Sequence, residues 1–238
     1  MRELLLIQIR PQGASTAQHE QDCVTRRFGD RAHRLRPRNV FEERPDASWL
    51  EGVDGVIIGG SGNFSVHDPR SEEWVTPLRG LLGAALERRT PGFGLCFGHQ
   101  LMGLHLGAEI VTDRGRMESG TIDFALERGG QDDPVFGYFG QLGHAHTGHT
   151  DHVVQVPRGA TLLASTARSP VQAMRVDGTG WWTTQFHPDL ARVEAVERFS
   201  AFADAIEADG QPRPDSPDYT EHGDRATSLL GAWYDTVF

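Results

Sequence analysis

The sequence predicts a single α/β domain: a doubly wound, mostly parallel sheet flanked by helices, with a small additional antiparallel β region. Three observations predict it. The runs at residues 4–9, 53–58 and 92–95 are predominantly apolar, as in strands buried on both faces. After each run comes a stretch of helical character, and strands alternating with helices imply a parallel, right-handed arrangement. At 238 residues the chain suits one large domain and is cramped for two.

The elements follow in order. Residues 14–28, which include Cys23, read as a polar, weakly amphipathic helix, and Cys23 reads as structural. The run at 53–58 ends in Gly59-Gly60-Ser61-Gly62. Residues 72–89 carry a stripe of Trp74, Leu78, Leu81, Leu82 and Ala85 at helical spacing, with Pro77 in the first turns. The strand at 92–95 leads into a helix over 98–106. From about 108 to 186 the pattern changes to short β-like stretches at 119–126, 152–156, 162–164, 171–176 and 181–186, with turn signals between them. Trp181-Trp182 reads as sheet core and cover. A long helix over 190–208 closes a domain spanning 1–208. Residues 209–238 read as a linker, rich in Pro, Asp and Gly over 209–218, and a packed C-terminal segment with a short helix near 224–236.

Composition narrows the function. The formal charge of −10 argues against nucleic acid or an anionic membrane as a partner. No apolar run approaches bilayer length, and the N-terminus lacks a signal-peptide layout. Two cysteines make no disulfide scaffold, which points to a reducing, cytoplasmic setting. All 23 basic residues are arginine. The bias itself is explained by genomic base composition, but without lysine there is no Walker A, Schiff-base or kinase-type lysine chemistry. No cofactor is expected.

The chemistry centres on Gly-Leu-Cys-Phe-Gly-His-Gln at 94–100. An apolar strand ending in Gly-x-Cys-x-Gly before a helix is the cysteine form of a nucleophile elbow. Gly94 and Gly98 leave room for the sharp turn, and Cys96 is set over a helix N-terminus that favours the attacking thiolate. A cysteine nucleophile needs a base and an orienter for that base. His187 and Asp189, in Gln185-Phe186-His187-Pro188-Asp189, fill those roles; the alternative for Asp189 is to cap the following helix. Gly60 or Ser61, with Phe97, would supply backbone N–H groups to an oxyanion. Gly60–Ser65 lacks the third glycine and the immediate helix of a dinucleotide fingerprint. Among His144, His146, His149 and His152, an extended strand would leave His149 on the opposite face from the others, so no metal site is expected.

These motifs resemble the class I glutamine amidotransferase family, and most of all its GMP synthase type. The resemblance rests on 59–62, the elbow, His149-Thr150-Asp151-His152-Val153-Val154, Pro170-Val171-Gln172-Ala173 and His187-Pro188, in the right order over residues 4 to about 205. It implies that Gln100 and the backbone at Gly148, His149 and Thr150 hold the amino-acid part of glutamine. It also implies that Cys96 releases ammonia through a γ-glutamyl thioester, with no cofactor. Two departures stand out. The family usually carries His-Pro-Glu where this chain has His-Pro-Asp, so the shorter acid is expected to reach His187 through a backbone shift or a weaker bond. The chain also has no room for a synthetase domain, so ammonia would pass to a separate subunit. The alternatives are a γ-glutamyl peptide or conjugate hydrolase acting alone, and an inactive regulatory or binding subunit.

Overall fold

A computed structural model describes residues 1–208 and 218–238. Its elements in chain order are β1 (Arg2–Gln8), α1 (Ser15–Phe28), β2 (His33–Asn39), β3 (Gly55–Ile58), α2 (Glu72–Glu87), β4 (Gly92–Leu95), α3 (Phe97–His105) and β5 (Ile110–Thr112). There follow β6 (Glu118–Leu126), α4 (Arg128–Gln131), β7 (Leu142–His149), β8 (Asp151–Val153), β9 (Ala160–Ser165), β10 (Ala173–Val176), β11 (Trp181–Thr184), α5 (Arg192–Ala208) and α6 (Leu229–Val237). Apart from Asp218, the linker expected at 209–218 lies outside the described residues.

Among the described residues, one sheet of nine strands runs β2-β1-β3-β4-β11-β10-β9-β6-β7. Its first five strands are mutually parallel, and β10, β9, β6 and β7 extend it by antiparallel pairing. The antiparallel region is therefore mostly a continuation of the main sheet; β5 and β8 form a separate two-stranded ladder.

Alternation along the central strands sorts the core into two layers. Leu5, Ile7, Val56 and Ile58 face α2 and α3, meeting Leu78, Leu82, Phe97 and Leu101. Leu4, Leu6, Ile57 and Phe93 face the other way, meeting Val24 and Phe28 of α1 and Leu229 and Trp233 of α6. The C-terminal helix thus packs on the same core as the first strand.

Three strands go unread in the sequence: β2, β5 and β7. Both β2 and β7 are sheet edges. An edge strand has one unpaired side, so it tolerates polar residues and even Pro37, which sits opposite Leu6.

Register sets up the site. Ile7, Ile58, Gly94 and Thr183 form one row across four parallel strands. Just past this row each strand releases a polar segment at the same carboxyl edge: Arg10, Gly60, Cys96 and Gln185–Asp189. Open α/β sheets place ligands at that edge.

Candidate active site

Cys96 sits at the turn from β4 to α3 with φ 48° and ψ −94°, a left-handed conformation costly for a side-chain-bearing residue. The strain is held from both sides. The Cys96 N–H donates to the Thr184 carbonyl at 2.7 Å, and its own carbonyl accepts the Gln100 N–H at 3.1 Å. A Cβ on Gly94 would lie 2.8 Å from the Gly98 carbonyl, and one on Gly98 would lie 2.5 Å from the Ile58 carbonyl oxygen. No other residue fits either position without moving backbone. The thiol is half-buried, unlike the fully buried Cys23, whose burial pushes it up to about 12.

His187 leaves the end of β11, its N–H bound to the His146 carbonyl at 2.8 Å. Its Nδ1 donates to Asp189 Oδ1 at 3.0 Å. The aspartate therefore reaches the imidazole at ordinary hydrogen-bond length despite its shorter arm. Burial works against a charged imidazole here. The Asp189 carboxylate and the hydrogen-bonded Cys96 beyond it overcome that, and His187 is raised to about 9. Asp189 is fully buried, which opposes its ionisation, yet His187, Arg198 and Arg10 hold it well below the usual carboxylate range. It does not cap α5: the helix begins at Arg192, and the Ala191 N–H donates to Glu194 Oε2 at 2.7 Å.

The loop after β3 closes over both groups. A Cβ on Gly60 would lie 3.0 Å from His187 Cε1 and 3.7 Å from the Cys96 Cβ. Gly60 is thus at once beside thiol and imidazole. Ser61 Oγ donates to the Phe64 carbonyl at 2.5 Å, which shapes the loop and leaves its hydroxyl engaged. Phe97 is the first residue of α3, where N–H groups have no intrahelical acceptor.

The expected substrate-holding residues flank this centre. Gln100 Nε2 donates to the Asp151 carbonyl at 3.0 Å and to Gln185 Oε1 at 3.2 Å. Gly148 lies under Phe199 of α5, whose ring meets the His187 ring edge-on at 5.5 Å between centroids. The His149 imidazole turns away, with Nε2 on Glu118 Oε2 at 3.0 Å and Nδ1 near the Asp151 carbonyl at 2.9 Å. The Thr150 carbonyl accepts the Asp113 N–H at 3.2 Å. His144 pairs with Asp123, and His146 with Asp224. Among the described residues no group of three or more His, Cys, Asp or Glu is placed to hold a metal ion, and no helix is long and apolar enough to cross a membrane.

Two contributors escape sequence reasoning. Gln185 Nε2 donates to Cys96 Sγ at 3.5 Å, because the residue after β11 points back at the elbow. Arg198 reaches Asp189 from α5. Its one signal is position: it falls three residues after the buried Ala195, on the inward stripe of a helix where an arginine is unexpected.

An elbow cysteine and a His–Asp pair on the carboxyl edge of a doubly wound sheet define an amidotransferase-like α/β protein. The family model for glutamine amidotransferase class-I matches residues 24–199, and the chain belongs to that family. It is 32% identical over 171 residues to the glutamine-hydrolysing GMP synthase of Thermotoga maritima, a match covering 69% of this chain and 30% of that protein. It is 31% identical over 170 residues to one subunit of the glutamine-hydrolysing GMP synthase of Sulfurisphaera tokodaii, covering 70% of this chain and 83% of that one. The crystal structure of a Thermotoga maritima glutamine amidotransferase superposes with a TM-score of 0.74 at 18% identity, covering 99% and 97% of the two chains. The chain thus spans less than a third of the Thermotoga synthase and matches most of the Sulfurisphaera polypeptide.

Proposed function

We propose that this chain hydrolyses the γ-amide of glutamine and hands the ammonia to a separate synthetase subunit. The observation that carries the reading is the convergence of Cys96, His187 and Gly60 on one point, with Asp189 behind the imidazole. The relatives support the substrate and the partner, since both are named glutamine-hydrolysing and one is a single subunit of its GMP synthase.

In this mechanism imidazolium and thiolate form the resting pair, for which the raised His187 is suited. The sulfur attacks the γ-carbonyl carbon, and the carbonyl electrons move onto oxygen. The N–H groups of Phe97 and of Gly60 or Ser61 stabilise that oxyanion. Collapse breaks the C–N bond, His187 gives its proton to the leaving nitrogen, and ammonia departs. The γ-glutamyl thioester remains. Water, deprotonated by His187, attacks the same carbon and restores the thiolate with release of glutamate. Asp189 holds the imidazole in the tautomer that presents Nε2 to sulfur. Gln100 and the backbone at Gly148–Thr150 hold the α-amino and α-carboxylate groups. A free catalytic thiol suits the cytoplasm.

One observation favours a second reading, a γ-glutamyl peptide or conjugate hydrolase. A cavity of about 200 Å³ lies beside Ser61, lined by Phe64, Phe202, Pro11 and Ala14. Such a space would take an apolar group on the leaving nitrogen. Glutamate release by the purified chain from glutamine and from γ-glutamyl dipeptides separates the readings. Higher kcat/KM on glutamine supports the first and higher kcat/KM on dipeptides the second. A folded chain that releases glutamate from neither is a regulatory or binding subunit.

A further inference from the structure

Asp189 uses both carboxylate oxygens, and only one of them meets His187. Oδ1 accepts from the imidazole at 3.0 Å, while Oδ2 accepts from Arg198 Nη1 at 3.3 Å. Both side chains are fully out of solvent. Rotation about the last torsion of an aspartate is soft and roughly two-fold. A carboxylate bonded at one oxygen can therefore turn and leave Nδ1 poorly met; one pinned at both cannot.

The pin is itself anchored. Arg198 Nε donates to His19 Nδ1 at 2.9 Å, and Nη1 lies 3.9 Å from Glu20 Oε1. Glu20 in turn takes Arg10 in a two-pronged contact, Nη2 to Oε1 at 2.6 Å and Nε to Oε2 at 3.2 Å, and Gln8 at 2.9 Å. All of these charged groups are buried. Two arginines balance Glu20 and Asp189. Glu20 also packs against Gly59, where any Cβ would strike its carboxylate, so the network reaches the loop that carries Gly60. The next residue on α5, Phe199, lies edge-on to the His187 ring. One turn of α5 thus fixes the acid through residue 198 and the imidazole through residue 199.

We propose that Arg198 is a positioning residue for catalysis: it locks the plane of the Asp189 carboxylate and thereby aims His187 at Cys96. The inference rests on the reading that His187 serves Cys96. The groups facing Asp189 and Arg198 are His187 after β11, His19, Glu20 and Cys23 on α1, Arg10 after β1 and Glu197 on α5; His146 on β7 faces His187. Removing a cation from this set would, by charge alone, let His187 keep its proton to higher pH. Loosening its carboxylate does the opposite, so the direction of the change tells the two apart.

The test is the rate of Cys96 alkylation by iodoacetamide against pH, resolved by peptide mass so that Cys23 is scored separately, together with kcat and KM on glutamine. The variants are Arg198→Met, Arg198→Lys, and Arg198→Met with Glu20→Gln. The last removes one charge of each sign and so avoids stranding a buried carboxylate. In the folded variants lacking Arg198, the upper inflection that reports His187 should fall by about one pH unit or more. Their kcat should drop about 10- to 100-fold, as for outer partners of metal-bound imidazoles, with KM little changed. Arg198→Lys should recover part of the loss. An inflection unmoved or raised, with or without lost kcat, makes Arg198 structural only and overturns the proposal. If the parent shows no inflection that His187→Ala removes, the reading beneath it fails first and the proposal falls with it.

Discussion

Two buried histidines, His99 and His187, are pushed in opposite directions by their environments. His99, three residues past Cys96 on α3, is lowered to about 3 by burial, with the nearby His149 adding to the effect and the Val171 carbonyl only partly opposing it. His187, at the end of β11, is raised to about 9. Both are buried, His99 completely and His187 nearly so. The difference is the partner. His99 Nε2 must donate to the Val171 carbonyl at 3.0 Å, so its Nδ1 accepts from the Thr183 hydroxyl at 2.8 Å and a neutral ring satisfies both. His187 has a buried carboxylate and a sulfur. A buried histidine is thus raised only where a carboxylate faces it, and proximity in sequence to Cys96 is no guide to which one is.

The largest effect that could break this contrast comes from removing His187 or Cys96. His187→Ala and Cys96→Ala should each lower kcat for glutamine hydrolysis on the order of a million-fold, as single knockouts of a coupled triad do, with circular dichroism unchanged. Near-parent activity in either would end the assignment.

Next comes the partner. Asp189→Asn keeps the size and removes the charge, and it favours the wrong tautomer. It should lower kcat about 10³- to 10⁴-fold, measured by glutamate release. A loss below tenfold would mean that burial and Cys96 alone make His187 a base.

Stability against pH sharpens the contrast further. His187 has a folded value above that of the unfolded chain, so its contribution is complete below about pH 6.5 and is lost as pH rises through about 9. His99 is depressed, so its contribution is complete above about pH 6.5 and is lost as pH falls towards 3. Urea midpoints should therefore decline from pH 6.5 to 9 in the parent and stay flat over that window in Asp189→Asn. An unchanged decline in the variant would place its cause elsewhere.

The smallest effect is expected at His99. His99→Gln keeps a donor and an acceptor in place of the neutral ring. It should cost about 1–3 kcal/mol of stability and change kcat less than about threefold, read from melts and from initial rates. A collapse of kcat with stability intact would give His99 a part in the chemistry.

The contrast also explains what the sequence made legible. Cys96, His187 and Asp189 follow the fully buried strands β4 and β11, whose Phe93, Leu95, Trp181 and Trp182 announce both the strand and its terminus. The parallel half of the sheet is therefore readable, except for its polar edge β2. The antiparallel half reads less well, because β7 mixes histidines and a threonine with small residues and is covered on one side by the C-terminal segment, whose Tyr219 and Asp224 bind back to it. Arg198 is hidden for another reason. An arginine on a helix reads as solvated surface, and only the fold reveals that its neighbours are Asp189 and Glu20. Sequence spacing finds groups that share a turn; it does not find a charge delivered from another element.

The most direct measurement is covalent labelling with a diazoketone analogue of glutamine, followed by peptide mass analysis. Cys96 is half-buried beside His187, while Cys23 is fully buried and pushed up to about 12. One adduct per chain is expected, on the peptide carrying Cys96, slowed by added glutamine and absent in His187→Ala. A folded chain labelled at Cys23, or left unlabelled at saturating reagent, would contradict a glutamine site built on Cys96.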